Sequence, residues 1–457
     1  MSVVAPTAMY NPARLAEARA WTRYINMARL AGFVAVLCTP FSLWALFWSS
    51  PQDYPFLSSL LYVPLVIYCC VLLFKRLWRG DRFVKLLFGG GIAARVVAAG
   101  AYFWVGLFVY GGNIDALDYW TVGLQRMQQF SEAGWAAFPP PYSSTNVVYN
   151  LCGIIMLMTG NALPTLFVIF ALAALLGAYF FYRAFCLAFP HGNRGLYGLL
   201  VVLLPSILFW SSGVSKDSLT QLFIGISAYG FARVVKKLDF WTILICIIGI
   251  AGTSVIRPHI GAMLAASILV PFALSLTKGR LMTTAAKILL LPGLVAGTLF
   301  MVSQAGTFVG MEGSEFQSGI ATLDRQNKDT QVGGSSFSGG QSLTVRVVEG
   351  PLLLFRPFPW EVHNVMSGFS ALEGMGLLIL FWRKRRECWA LVRDWREAYV
   401  GFVLLFALLF FIIFGAAISN FGIVSRQRVM LLPIVLMLLC AKRLITTAPS
   451  ARGAAIQ

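Results

Sequence analysis

Five cations stand at the ends of apolar runs: Lys216, Arg257, Arg356, Arg426 and Arg428. Charge at the edge of a bilayer is costly unless it is paired or functional. Arginine offers a planar fork that matches phosphate oxygens, so five such residues converging at headgroup depth would suit a lipid phosphate. Singly, each also suits a plainer role, snorkelling to the interface or pairing with a nearby acid. Asp115 and Asp118, in Gly112-Asn113-Ile114-Asp115-Ala116-Leu117-Asp118-Tyr119-Trp120, share one face if that stretch is helical. A carboxylate at the water edge of a cavity takes a proton from a hydroxyl, and two of them bind a divalent cation through oxygen. Solvated acids at a helix end are the alternative. His259 follows Arg257-Pro258 and His363 follows Trp360-Glu361. Either imidazole serves as a base near neutral pH, and so does Glu361; His259 is grouped with the phosphate-binding cations. A hydrogen-bonded interface histidine is the bland reading of both.

The elements that must position these residues are membrane helices. Of 457 residues, 58% are hydrophobic and only 12% charged, with a mean hydropathy of +0.75; a soluble domain carries about 25% charged residues. The apolar residues come in runs of roughly 18 to 22, the length that crosses a bilayer as a helix. Alternating strands are absent, which argues against a barrel. The net charge of +18 raises nucleic acid as a partner, but most of the Lys and Arg cluster in alternate loops. That is the positive-inside pattern, and it excludes nucleic acid. The eight cysteines show no C-x-x-C spacing, hence no metal site and no disulfide framework.

The expected fold is all-α, a polytopic bundle of about 12 spans. They are placed at 31–49, 57–74, 86–110, 163–182, 196–212, 218–234, 240–256, 260–277, 284–303, 365–382, 398–418 and 429–441. Residues 1–30 read as a basic cytoplasmic segment without a cleavable signal, 31–445 as the bundle, and 446–457 as a cytoplasmic tail. Residues 111–145 and 304–364 read as long external loops. Residues 146–160 are apolar but short; if they crossed, the later basic loops would fall outside, so they are expected to be re-entrant or interfacial. Glu373 is the one acid expected well inside a span, where a buried charge needs a partner.

Several short motifs in fixed order add a resemblance. They are Asp115-Ala116-Leu117-Asp118-Tyr119, then Tyr149-Asn150 through Leu157-Met158-Thr159-Gly160, then Leu204-Pro205-Ser206-Ile207-Leu208-Phe209-Trp210-Ser211-Ser212-Gly213 with Lys216-Asp217. Val255-Ile256-Arg257-Pro258-His259 and Ser425-Arg426-Gln427-Arg428 with Leu432-Pro433 complete the set. The combination resembles bacterial membrane glycosyltransferases of the GT-C superfamily over most of residues 105–440. The resemblance implies sugar transfer from a polyprenyl-phosphate or diphosphate carrier at the periplasmic face of the inner membrane, with both termini cytoplasmic. It implies Asp115 as base or metal contact, and Arg257, Arg426 and Arg428 as holders of the carrier phosphate. Its partners would be a lipid-linked saccharide, the bilayer and other polysaccharide-assembly proteins; its one cofactor would be a divalent metal ion at Asp115 and Asp118. Two features depart from that pattern. The acidic loop follows the third span rather than the first, and the second external segment with Arg356, Glu361 and His363 is similar to O-antigen polymerases and ligases. A repeat-unit polymerase or ligase is therefore the close alternative, and a flippase or transporter of lipid-linked sugars the next.

Overall fold

The computed structural model describes residues 12–48, 56–78, 80–134, 144–276 and 342–442. These residues are predominantly helical, with no strand among them. In chain order the helices are α1 (Pro12–Trp48), α2 (Phe56–Leu77), α3 (Arg82–Phe108), α4 (Asp115–Ala133), α5 (Thr145–Thr159), α6 (Leu163–Ala188), α7 (Arg194–Leu203) and α8 (Pro205–Trp210). Then come α9 (Lys216–Lys236), α10 (Phe240–Ile256), α11 (Pro258–Leu276), α12 (Leu343–Glu349), α13 (Val365–Arg383), α14 (Arg385–Val392), α15 (Ala398–Ala417) and α16 (Phe421–Cys440). Single 3-10 turns occupy Gly350–Leu354 and Pro359–Glu361.

Nine of the described helices are long and apolar enough to cross a membrane: α1, α2, α3, α6, α9, α11, α13, α15 and α16. The protein is a multi-pass helical membrane protein. Phe33, Leu37 and Phe41 on α1 and Leu61, Leu65 and Tyr68 on α2 are exposed, as side chains facing lipid tails would be.

The remaining expected spans differ for physical reasons. The run 196–212 is broken into α7 and α8. Pro205 lacks an N–H and pushes the residue before it out of the helical region, and Leu204 is accordingly extended at φ −59°, ψ 126°. The run 240–256 forms α10, a helix of 17 residues. The expected span 284–303 lies outside the described residues, as do the tail 446–457 and most of the segment 304–364. The short run 146–160 forms α5, whose 15 residues extend about 22 Å, less than a bilayer core of about 30 Å.

Two further differences concern the ends. α1 begins at Pro12, so most of the basic segment 1–30 continues into a helix of 37 residues. The segment 111–145, expected as an external loop, contains a full amphipathic helix, α4. Its buried residues Ala116, Tyr119, Gly123 and Phe130 fall at helical spacing, giving it one apolar face.

Small residues let backbones touch where hydrophobicity alone drives no association in lipid. α9 is clamped in this way. A Cβ added to Gly177 of α6 would lie 2.6 Å from the Gln221 carbonyl oxygen, and one added to Gly230 would lie 2.5 Å from Cys246 N of α10. The first turn of α9 thus has a fixed place at one end of the bundle. There it meets the end of α10 and the starts of α4, α5 and α16, through side chains described next. A buried cluster lies directly beneath. It includes Ala116, Val214, Leu219 and Ile256, each within two or three residues of a charged group above it.

Candidate functional site

Asp217 is the centre. Ser215 caps α9 with extended backbone, and its Oγ accepts from Ser218 N, so Lys216 and Asp217 occupy the first helical turn. A carboxylate is favoured there by the helix dipole. Asp217 is fully buried and survives because each oxygen has an arginine. Arg257 Nη2 donates to Oδ1 at 2.6 Å and Arg426 Nε donates to Oδ2 at 2.5 Å. Arg257 sits between α10 and Pro258, the first residue of α11, and the break turns its side chain inward; its Nη1 donates to Gln427 Oε1 at 3.1 Å. Arg426 uses its other face for Asp115, Nη2 to Oδ2 at 2.6 Å. Asp115 is the open member, with its side chain 48% exposed.

Lys216 adds a third cation. Its Nζ donates to Ser144 Oγ at 2.9 Å and Thr145 Oγ1 at 2.6 Å, hydroxyls rather than carboxylates. The lattice therefore holds Lys216, Arg257 and Arg426 against Asp115 and Asp217, an excess of positive charge. The bonds are charge-assisted and the forks are fixed before any ligand arrives.

Asp118 is turned away from Asp115. Its Oδ2 accepts from Tyr149 Oη at 2.5 Å, which ties α4 to α5. Desolvation first, then this carboxylate, pushes the Tyr149 phenol up to about 12. With Asp115 bound to Arg426 and Asp118 to Tyr149, the two acids do not face a common point. No group of three or more His, Cys, Asp or Glu gathers among the described residues. This donor set does not fit a divalent metal centre.

Arg428, expected beside Arg426 as a phosphate contact, is instead a strut. It is fully buried; Nη2 donates to Glu373 Oε1 at 3.0 Å and Nη1 to the Arg356 carbonyl at 3.0 Å. On α16, Arg428 lies two residues beyond Arg426, about 200° around the helix, so the two leave opposite sides. Glu373 does a second job, accepting from Ser206 N at 2.7 Å, the amide freed where Pro205 breaks the helix. At the far end of α8, the fully buried Arg95 donates to Ser211 Oγ at 2.5 Å and to the carbonyls of Ile207 and Leu208 at 3.3 and 3.4 Å. A carboxylate at its start and a guanidinium at its end satisfy this six-residue helix inside the bundle.

Arg356 and Glu361 form a separate node. They are ion-paired, with Glu349 3.4 Å from the same guanidinium, and Glu361 also caps Phe358 N. The Arg356 guanidinium lies 5.5 Å from the Phe421 ring centre. His363 is exposed on the same side, 6.5 Å from that ring. His259 is buried near Phe414.

The structure thus joins Asp115, Lys216, Arg257 and Arg426 in one lattice. It puts Arg356, Glu361 and His363 in a second group, pairs Asp118 with Tyr149 and Arg428 with Glu373, and buries His259 beside Phe414. Sequence reasoning missed Asp217 as the organiser and Arg95 as a cap. The signals existed: an acid directly after a Ser-rich helix start, and a lone arginine in an apolar span. No family model, curated protein or solved structure matches the chain, so the lattice itself carries the functional argument.

Proposed function

We propose that the protein is a membrane glycosyltransferase, GT-C-like in architecture, acting on a polyprenyl-phosphate- or diphosphate-linked saccharide. The lattice end of the bundle then faces the periplasm of a bacterial inner membrane, and both termini are cytoplasmic. The observation that carries this reading is the buried Asp217 holding two arginine forks at the bundle edge, with Lys216 beside them. Preorganised cations aimed at developing phosphate charge are the largest electrostatic contribution available to such a reaction.

The chemistry follows from the partners present. A carrier phosphate entering the lattice takes over the Arg426 fork from Asp115. The freed carboxylate accepts the proton of the acceptor hydroxyl. That oxygen forms a bond to the anomeric carbon while the bond from the same carbon to the carrier phosphate breaks. The leaving phosphate keeps the electron pair, and its charge is neutralised by Arg257, Arg426 and Lys216. Asp217 touches neither substrate; it is a positioning residue.

The alternative reading, a repeat-unit polymerase or ligase, is favoured by the node of Arg356, Glu361 and His363, which opens on the same side. The lipid-linked saccharide profile of cells with and without the protein separates the two. A carrier saccharide one sugar short supports the transferase, and accumulation of complete single repeat units without long polymer replaces it with the polymerase. Asp115→Asn is expected to lower transfer by about 10²–10⁴-fold. Full activity of a folded Asp115→Asn protein would remove Asp115 as the base.

A further inference from the structure

A cavity of about 330 Å³ lies beside the lattice, bounded by the end of α3, the end of α8 and the starts of α13 and α16. Its size falls in the range of small-ligand pockets, roughly 300–1,000 Å³. It shares α16 with the lattice: Ser425 lines the cavity and the next residue, Arg426, holds Asp115 and Asp217. It shares the α8–α9 connection as well, since Trp210 lines it a few residues before Lys216.

The lining has a consistent chemistry. Tyr110, Trp210 and Phe421 supply aromatic surface, and Ser370, Ser425 and Asn364 supply neutral hydrogen-bonding groups. No charged side chain lines it. Trp210 is braced by Phe209 and Tyr102, with ring centres 5.1 and 6.2 Å away, so its plane is fixed. Among the described residues, the Tyr110 hydroxyl, Trp210 Nε1, Ser370 Oγ and Ser425 Oγ make no hydrogen bond. These groups are not sealed from water, so a ligand with hydroxyls would exchange water for direct hydrogen bonds on entering.

We infer that this cavity holds the sugar ring adjoining the carrier phosphate, and that it selects an uncharged sugar over an acidic one. The inference rests on the glycosyl-transfer reading above and deepens it. A ring set here has hydroxyl partners on two helices and an aromatic wall, while its phosphate lies against Arg426. A carboxylate on the same ring would enter a lining without a cation and lose its hydration.

The test uses the full-length protein in nanodiscs and three probes on one short polyprenyl diphosphate: the bare carrier, the carrier bearing glucose, and the carrier bearing glucuronate. Two new hydrogen bonds predict that glucose tightens binding about tenfold over the bare carrier. Glucuronate is expected to give no gain. Ser370→Leu, which fills the cavity from α13, should erase the glucose gain while the bare carrier still binds and reports a folded protein; Ser425→Leu should do the same from α16. Equal affinity for the bare and glucose-bearing carriers overturns the inference and leaves the lattice reading intact, and so does a glucose gain that survives both leucine variants. A glucuronate gain equal to that of glucose overturns the selectivity. If the bare carrier does not bind, or binds Arg426→Ala as well as the native protein, the phosphate reading itself has failed.

Discussion

The two ends of this bundle handle the same residue type in opposite ways. At the end formed by the close of α13, by α14 and by the starts of α7 and α15, arginines lie over tryptophans at the surface. Arg194 is 4.6 Å from the Trp21 ring centre, Arg385 is 4.6 Å from Trp382 and Arg396 is 5.2 Å from Trp395. These guanidinium groups keep their water and use an aromatic face as a rest. At the other end, Arg257 and Arg426 are largely withdrawn from water and Arg428 fully so, and they hold carboxylates, of which Asp217 is fully buried and Glu373 nearly so. The first arrangement anchors a helix end at an interface. The second fixes cations in advance of a ligand, at the cost of desolvating both partners. Exposed arginine fixes where a membrane protein sits; buried, paired arginine marks where it has committed free energy to a geometry.

The contrast predicts its own hierarchy. Asp217→Ala leaves Arg257 and Arg426 with no shared counter-charge, and losing one partner of a buried pair costs about 3–5 kcal/mol. Thermal unfolding in detergent should show the largest drop here, with transfer activity lost as well. A stable Asp217→Ala protein would mean that the two arginines reach water, and the distinction between the ends would collapse. Arg426→Ala should reduce transfer by about 10²–10³-fold, the usual loss for one preorganised charge-stabilising donor. Arg426→Lys is expected to restore little, because an ammonium cannot bridge Asp115 and Asp217 as a fork does.

The Arg428–Glu373 pair gives a smaller and more diagnostic effect. Either single change, Arg428→Met or Glu373→Gln, should destabilise by more than the double variant, because the double variant leaves no orphan charge. The Ser206 amide, now held by Glu373, keeps an acceptor in Glu373→Gln, so that single change is expected to be the milder. If the two single effects simply add in the double variant, the pair is not coupled and Arg428 is not a strut.

How much of this was legible beforehand follows from which signals are local. Hydropathy over 18 or more residues marks α6, α13 and α15 without reference to the rest of the chain, whereas the span read at 429–441 missed the first turns of α16, where Arg426 and Arg428 lie. The break at Leu204 was equally local, since Pro205 is plain in the sequence, yet the apolar run on either side masked it. The face of α4 was readable at helical spacing but lay within a stretch whose polar residues suggested a loop. The lattice was a different matter. Arg426 meets Asp217 across 209 positions of sequence, and Arg428, two residues on, points elsewhere. Types and spacing placed Asp115, Lys216, Arg257, Arg356, Arg426 and Arg428 at helix ends; which of them converge depends on helix packing. Asp217 was passed over because an acid beside a lysine at a helix start looks like an ordinary cap, and only burial separates a cap from an organiser.

The smallest expected effect sharpens the comparison most cleanly. Arg385 rests over Trp382 and donates to its carbonyl at 2.9 Å, on an exposed surface. An exposed cation–π contact contributes about 0.5–1 kcal/mol. Arg385→Ala should therefore shift the unfolding temperature only slightly and leave transfer unchanged, and Arg385→Lys should be closer still to the native protein, because a snorkelling ammonium serves the interface nearly as well. The same Arg→Lys change at Arg426 is expected to abolish most activity. One chemical substitution at the two ends of one bundle thus isolates what the fork adds. If Arg385→Lys and Arg426→Lys were equally tolerated, the lattice would need only positive charge, and the fixed geometry around Asp217 would carry no functional meaning.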